Sequence, residues 1–447
     1  MKARKLVANI LALILGVSAA AAMSPPPRPD DLNLIAKLNT PYISASGGTV
    51  YLQLTFHAPR GKANKRQPLN LSVVLDRSGS MADQGKIDFA KSALYKLIDQ
   101  LGEEDILSVV IYDNEIEVLQ PARRVRDKRQ LKALIAEVYP RNSTNLGGGM
   151  IEGFRQVERN AGRRYVNRVI LLSDGLANQG ITSSHELGRI ARTYRSQSIS
   201  LTSMGVGLDY NEDLMVSLAE NGGGNYYFIE HPHSLAGIFE NEFSSLSQLM
   251  AHNCHIELTL GDDVRLEDVV GYSFDLRSGK CLIALGDVYY DQEREIMVAL
   301  AVPKGSGSRR IASGDLQLGG TTHWSGTVKG FATEIRYTSD QAVVERSRDL
   351  EAQSRADVAV STRNVEKALQ LLDEGKNEEA KRSLDQAKST LAASPAAAVA
   401  GSAGEAIQSQ VEALEEYEQI MEDSKDDARR AKKSIQYDNY RTQKKKK

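Results

Sequence analysis

The chain has 447 residues, 41% hydrophobic and 26% charged, with 56 Lys and Arg against 58 Asp and Glu. That length exceeds one ordinary domain, and the composition excludes a fibrous or wholly disordered chain. A formal net charge of −2, with no basic excess, excludes a general nucleic-acid binder.

The first 22 residues read as a secretory signal peptide. Lys2, Arg4 and Lys5 precede an apolar stretch from Leu6, and small residues follow at Ala20 and Ala22. Its removal takes away three positive charges, so the net charge moves from −2 to −5. An uncleaved N-terminal anchor is the alternative, and the one membrane attachment expected. Residues 23–31, with Pro25, Pro26, Pro27 and Pro29, read as a linker. In an exported chain the two cysteines, Cys254 and Cys281, admit one disulfide, worth about 3 kcal/mol. Two buried unpaired thiols are the equal alternative.

Residues 32–68 carry a first pair of strands. Leu52, Leu54 and Phe56 alternate with Gln53 and Thr55, as in a half-buried antiparallel strand. Gly61–Gln67 reads as a basic, polar loop. From Leu69 the pattern changes to strands alternating with helices, the signature of a parallel, doubly wound α/β sheet. Apolar strands are expected at Leu71–Leu75, Leu107–Tyr112, Val169–Leu172, Ile199–Val206 and Tyr226–Ile229. Between the first two, Ile87, Ala90, Leu94, Leu97, Ile98 and Leu101 recur on one helical face.

The first strand stops at Asp76-Arg77-Ser78-Gly79-Ser80. One carboxylate and two hydroxyls fall at alternate positions where α/β sheets place their ligands, at the C-terminal edge. Hard oxygen donors without Cys or His suit a Mg²⁺-class cation. Thr144 then precedes a helix, and Asp174 ends a second apolar strand. This D-x-S-x-S…T…D set resembles the metal-ion-dependent adhesion site (MIDAS) of von Willebrand factor A (VWA) domains, and with the strand–helix order it extends the resemblance over 69–250. The wider chain is similar to secreted bacterial proteins of the type resembling calcium-activated chloride channel regulators and inter-α-trypsin inhibitor heavy chains.

The resemblance implies that Ser78, Ser80 and Thr144 hold a divalent cation, Mg²⁺ first with Mn²⁺ and Ca²⁺ as alternatives, while Asp76 and Asp174 act through waters or hydroxyls. A shell of neutral hydroxyls leaves the ion under-neutralised, so it seeks the Asp or Glu of a protein partner. Gly147, Gly148 and Gly149 are expected to let the Thr144 loop pack closely and shift between free and bound arrangements, and Arg77 to point into solvent. Asp209-x-Asn211-x-Asp213 lacks the Gly and Glu of a Ca²⁺ loop and reads as a turn with a helix cap. The loop at 221–225 lacks the context of a phosphate cradle and reads as a turn. His185-Glu186 has no second His of a zinc-protease motif, and no nucleophile elbow or P-loop is present.

Residues 251–339 return to short alternating strands, a β-sandwich pattern, and the α/β unit is expected to be inserted in or flanked by it. Leu52–Phe56 would then lie beside the later strands. From 340 to 447 only helices are expected: a hairpin turning at Gly375, a small-residue linker at Ala392–Gly404, a charged helix at Gln408–Lys433, and a frayed basic end. The reading is an exported, non-catalytic adhesion or assembly module. A scaffold or regulatory subunit of a cell-envelope enzyme or channel complex is the alternative, suggested by the tail.

Overall fold

A computed structural model describes residues 32–60, 66–277, 279–319, 326–423 and 428–444. The expected signal peptide, the linker, most of the 61–67 loop and the last three lysines lie outside the described residues.

The chain begins with β1 (Asn33–Leu38), β2 (Tyr42–Ser44) and β3 (Gly48–His57). The α/β unit follows as β4 (Leu69–Asp76), α1 (Lys86–Gln100), β5 (Ile106–Tyr112), β6 (Ile116–Arg124), α2 (Lys128–Ala136), α3 (Leu146–Glu158), β7 (Val166–Ser173), α4 (Ser184–Ser196), β8 (Ile199–Val206), α5 (Glu212–Gly222), β9 (Gly223–Ile229) and α6 (Leu235–Ser247). Its sheet runs β6-β5-β4-β7-β8-β9, parallel except for the antiparallel edge β6. Every residue of β4, β5, β7 and β8 is buried, because helices cover both faces. The stripe predicted on α1 packs inward on one face, and Met150, Phe154 and Val157 of α3 on the other. Strand β6 escaped prediction, since its charged, Pro-containing sequence has little apolar alternation; a lone edge pairing tolerates both.

Gly153 shows how closely α3 sits. A β-carbon there would lie 2.3 Å from Val74 Cγ2 and 3.2 Å from Val169 Cγ1. Glycine to alanine normally favours a helix by about 1 kcal/mol; here overpacking should win. Gly153→Ala is expected to destabilise the protein by about 1–3 kcal/mol, read from urea unfolding, and a stabilised variant would refute the contact.

After α6 come β10 (Leu249–Leu260), β11 (Arg265–Val269), β12 (Phe274–Arg277), β13 (Lys280–Tyr289), β14 (Glu293–Val302), β15 (Ser308–Gly319) and β16 (Gly326–Thr338). They form two sheets with the N-terminal strands: β1-β3-β14-β11 and β12-β13-β10-β15-β16-β2. Leu52 and Leu54 of β3 stand opposite Val298 and Ile296 of β14, so the strand before the α/β unit pairs with one after it. Both sheets contribute to one core. Of the two alternatives for the cysteines, the structure shows the unpaired thiols and not the Cys254–Cys281 bridge. Cys254 stands across from Gly286 and Cys281 across from Leu258, so the two point at different partners along the β10–β13 ladder. Both are buried free thiols, and burial pushes them up to about 12 and about 11. Apolar packing explains them.

The remainder is helical: α7 (Gln341–Arg346), α8 (Leu350–Asp373), α9 (Asn377–Ala392), α10 (Ser402–Asp423) and α11 (Ala428–Lys444). The α8–α9 hairpin turns at Gly375, at φ +73°, and buries Ala380, Leu384, Ala387 and Leu391 as their spacing requires. The single charged helix expected over 408–433 is instead divided between α10 and α11. Nor is the basic end frayed through Lys444. Lys433 pairs with Glu212 of α5, Lys444 pairs with Glu220 at 3.1 Å, and Tyr440 joins the core beside Tyr226. Basic residues that read as solvated are held because α5 offers a matching acidic face. No helix among the described residues is long and apolar enough to cross a membrane.

Candidate metal centre

The parallel strands β4 and β7 end side by side, and that places Asp76 and Asp174 together although 98 positions separate them in sequence. Past Asp76 the chain turns through Ser78, Gly79 and Ser80 before entering α1. Three loops are stitched here by backbone bonds. Gly79 N donates to Asn142 O at 3.1 Å, Arg141 N to Arg77 O at 2.7 Å, and Asn178 N to Thr144 O at 3.2 Å. Asn178 Oδ1 also accepts from Thr144 N at 3.0 Å.

The hydroxyls converge. A β-carbon built on Gly175 would lie 3.3 Å from Thr144 Oγ1, 3.6 Å from Ser80 Oγ and 3.9 Å from Ser78 Oγ. Ser78 Oγ and Ser80 Oγ are 3.2 Å apart. Behind them stand the carboxylates. Asp76 Oδ1 accepts from Ser78 N at 2.8 Å, and its Oδ2 from Ser173 Oγ at 2.7 Å and Tyr112 Oη at 3.2 Å. Asp174 Oδ1 accepts from Ser80 Oγ at 2.8 Å, which turns that hydroxyl's lone pairs away from the carboxylate. Asp76 and Asp174 are fully buried, whereas Ser80 and Gly175 are partly open to solvent. Burial, then the Asp174 charge, pushes Asp76 up to about 6. Two acids so crowded, behind neutral oxygens facing outward, fit a divalent cation, which would stabilise both as carboxylates. All five predicted residues thus meet at one edge.

Sequence reasoning missed several supports. Tyr112 and Ser173 hold Asp76, and Lys86 at the start of α1 reaches Asp174 Oδ2 at 2.8 Å. An alternating-donor motif carries no signal for these partners. Two expectations are corrected. Arg77 does not face solvent: it is 6% exposed and pairs with Asp113 at 2.9 Å and Glu117 at 3.1 Å, because β5 and β6 bring acids beside it. Gly147, Gly148 and Gly149 are not a pliable loop but the first turn of α3, capped by Asn145 accepting from Gly148 N at 3.0 Å. A β-carbon at Gly147 would meet Ile181 O at 2.7 Å and one at Gly149 the Tyr112 ring at 2.6 Å, so the close packing expected of them holds, on a helix rather than a loop. The 209–213 segment is the cap expected: Asn211 Oδ1 accepts from Leu214 N at 2.9 Å. Gly223, at φ +73°, ends α5 inside the 221–225 turn.

An oxygen-rich cluster at the C-terminal edge of a doubly wound sheet stands where α/β folds place their ligands. Residues 70–241 match the von Willebrand factor type A domain family, and the chain carries that domain. An uncharacterised protein of Synechocystis sp. is 28% identical over 260 residues, 56% of this chain and 61% of its own length. Inter-alpha-trypsin inhibitor heavy chain H3 of Mus musculus is 25% identical over 177 residues, 38% of this chain and 20% of its own. The matched segment thus spans less than two thirds of either relative. Among solved structures, a von Willebrand factor type A protein from Catenulispora acidiphila superposes with a TM-score of 0.68 at 16% identity, over 86% of this chain and 89% of that one. That likeness establishes the fold. Type A domains typically mediate protein–protein interaction and bind a divalent metal at a metal-ion-dependent adhesion site.

Proposed function

We propose that this chain is an exported, non-catalytic protein-binding module that engages an acidic side chain of its partner through a divalent cation, Mg²⁺ first, held by Ser78, Ser80 and Thr144 with Asp76 and Asp174 behind them. One observation carries the reading: three hydroxyls converge over two buried carboxylates at a partly open sheet edge. The cation supplies positive charge facing outward, and the chain's residues orient the oxygens that hold it. Apolar side chains lie near in the chain: Leu176, 56% exposed, follows Asp174 by two positions, and Tyr139, 62% exposed, precedes the stitched Arg141. Such residues beside a charge-seeking centre suit a protein ligand. The tail packs on both sheeted units through α8 and α11, so it stiffens this body and leaves the metal edge as the binding surface. Export is supported by the charge and hydropathy pattern of residues 1–22.

Calorimetric titration of Mg²⁺ and Mn²⁺ into the purified protein is the test. The parent is expected to bind, more tightly with an Asp-containing peptide present. Asp76→Ala and Ser80→Ala, with unchanged circular dichroism, are each expected to weaken binding by about 100-fold. A parent that binds neither ion, with or without peptide, overturns the reading.

A further inference from the structure

Lys86 is a buried cation at this edge, bonded to a carboxylate of the cluster, that a cation site does not call for. It opens α1, where a positive charge opposes the helix macrodipole. It is 4% exposed, and its ammonium lies 2.8 Å from Asp174 Oδ2 and 3.5 Å from Ser80 O. The fold makes room for it. Gly207, at φ +74° beyond β8, passes so close that a β-carbon would lie 3.2 Å from Lys86 Cε and 3.4 Å from Nζ. Both oxygens of Asp174 are therefore engaged from within the chain, one by Ser80 and one by Lys86.

The charges decide what this does. Asp76, Asp174 and Lys86 sum to −1, and the three hydroxyls are neutral. A divalent ion then leaves a net charge of +1, which one external carboxylate cancels. With a neutral side chain in place of Lys86 the site would carry −2 and satisfy a divalent ion alone. We infer that Lys86 is a positioning residue that neutralises Asp174 from inside, so that the site holds its cation weakly alone and firmly only with a partner's acidic side chain. Lys86 thus couples metal retention to partner engagement. The inference rests on the proposed metal site and deepens it.

The test compares the parent with Lys86→Gln, which keeps a hydrogen-bond donor for Asp174, and Lys86→Arg, which keeps the charge. Mg²⁺ alone is titrated by calorimetry into each full chain, then again with an Asp-containing peptide. Lys86→Gln is expected to bind Mg²⁺ alone at least about tenfold more tightly, with the peptide's enhancement correspondingly reduced, while Lys86→Arg stays near the parent. Lys86→Met, which has no donor, checks that any gain follows from lost charge; it should tighten binding likewise. Should Lys86→Gln fail to fold, Lys86→Met carries the comparison. If the parent binds and the neutral variants bind equally or more weakly, the inference fails and the metal site stands. If neither the parent nor any variant binds Mg²⁺ under either condition, the metal site fails and the inference with it.

Discussion

Arg168→Met is expected to destabilise the protein by about 3–5 kcal/mol. Arg168 lies low on β7, at the end away from the metal edge, and is fully buried. Its Nη1 donates to Thr202 Oγ1 at 2.8 Å and Glu242 Oε1 at 3.3 Å, and its Nη2 to Asp287 Oδ2 at 2.5 Å. Burial opposes the guanidinium charge, yet Tyr289, Asp287 and Glu242 around it hold its pKa above the ordinary value. Thr202, Asn225 and Tyr227 donate to Glu242, and Ser200 to Asp287. Without the arginine two carboxylates remain buried with only neutral donors, and that desolvated charge is the cost. Because Glu242 is on α6 and Asp287 on β13, the loss also loosens the join between the α/β unit and the β-sheets. Urea unfolding should show an earlier transition, followed by separate probes of the two units. Adding Glu242→Gln and Asp287→Asn should recover much of the loss, since neutral amides need no counter-charge. A single variant within 1 kcal/mol of the parent would mean that the network is not the joint it resembles.

Tyr440→Ala is the second large effect, about 3–5 kcal/mol. Tyr440 of α11 is 9% exposed and meets Tyr226 of β9 edge-on, ring centroids 5.7 Å apart at 87°, while Tyr437 meets the same ring at 5.8 Å. Losing the ring opens a cavity beneath the last helix and removes an aromatic contact. Thermal melting should fall, and amide exchange should quicken across 428–444 ahead of the rest. Tyr440→Phe keeps the ring and should cost about 1 kcal/mol. Mg²⁺ affinity should be unchanged in both, because the contact lies on β9, at the far edge of the sheet from β4. Equal exchange protection in Tyr440→Ala and the parent would show that the ion pairs alone dock the helix.

Much of the architecture was legible in the chain itself. Leu71–Leu75 and Val169–Leu172 announce strands buried on both faces, and the α1 stripe announces a helix, because periodicity is a local property that burial imprints at every turn. The five residues of the candidate site were legible through the resemblance to type A domains, and for a related reason. Each sits where an apolar strand stops or a helix is about to start, and in a parallel sheet those ends lie on one edge. One strand pair before the α/β unit and several strands after it also foretold that β3 would find partners beyond residue 250, since a half-buried strand pair needs more strands to cover its face.

What tertiary structure alone decided is the pairing of charge with charge. Lys86 beside Asp174, Arg77 beside Asp113, Arg168 between Glu242 and Asp287, and the basic residues of α11 against α5 all join positions far apart in sequence. A charged residue in a linear chain reads as solvated, which is its state at lowest cost. Only when folding brings an opposite charge within about 3 Å and excludes water does burial become affordable, and that depends on register and packing rather than on neighbours in sequence. The cysteines follow the same logic: compartment and count admitted a disulfide, but the β10–β13 register, which sets Cys281 opposite Leu258, decided against it.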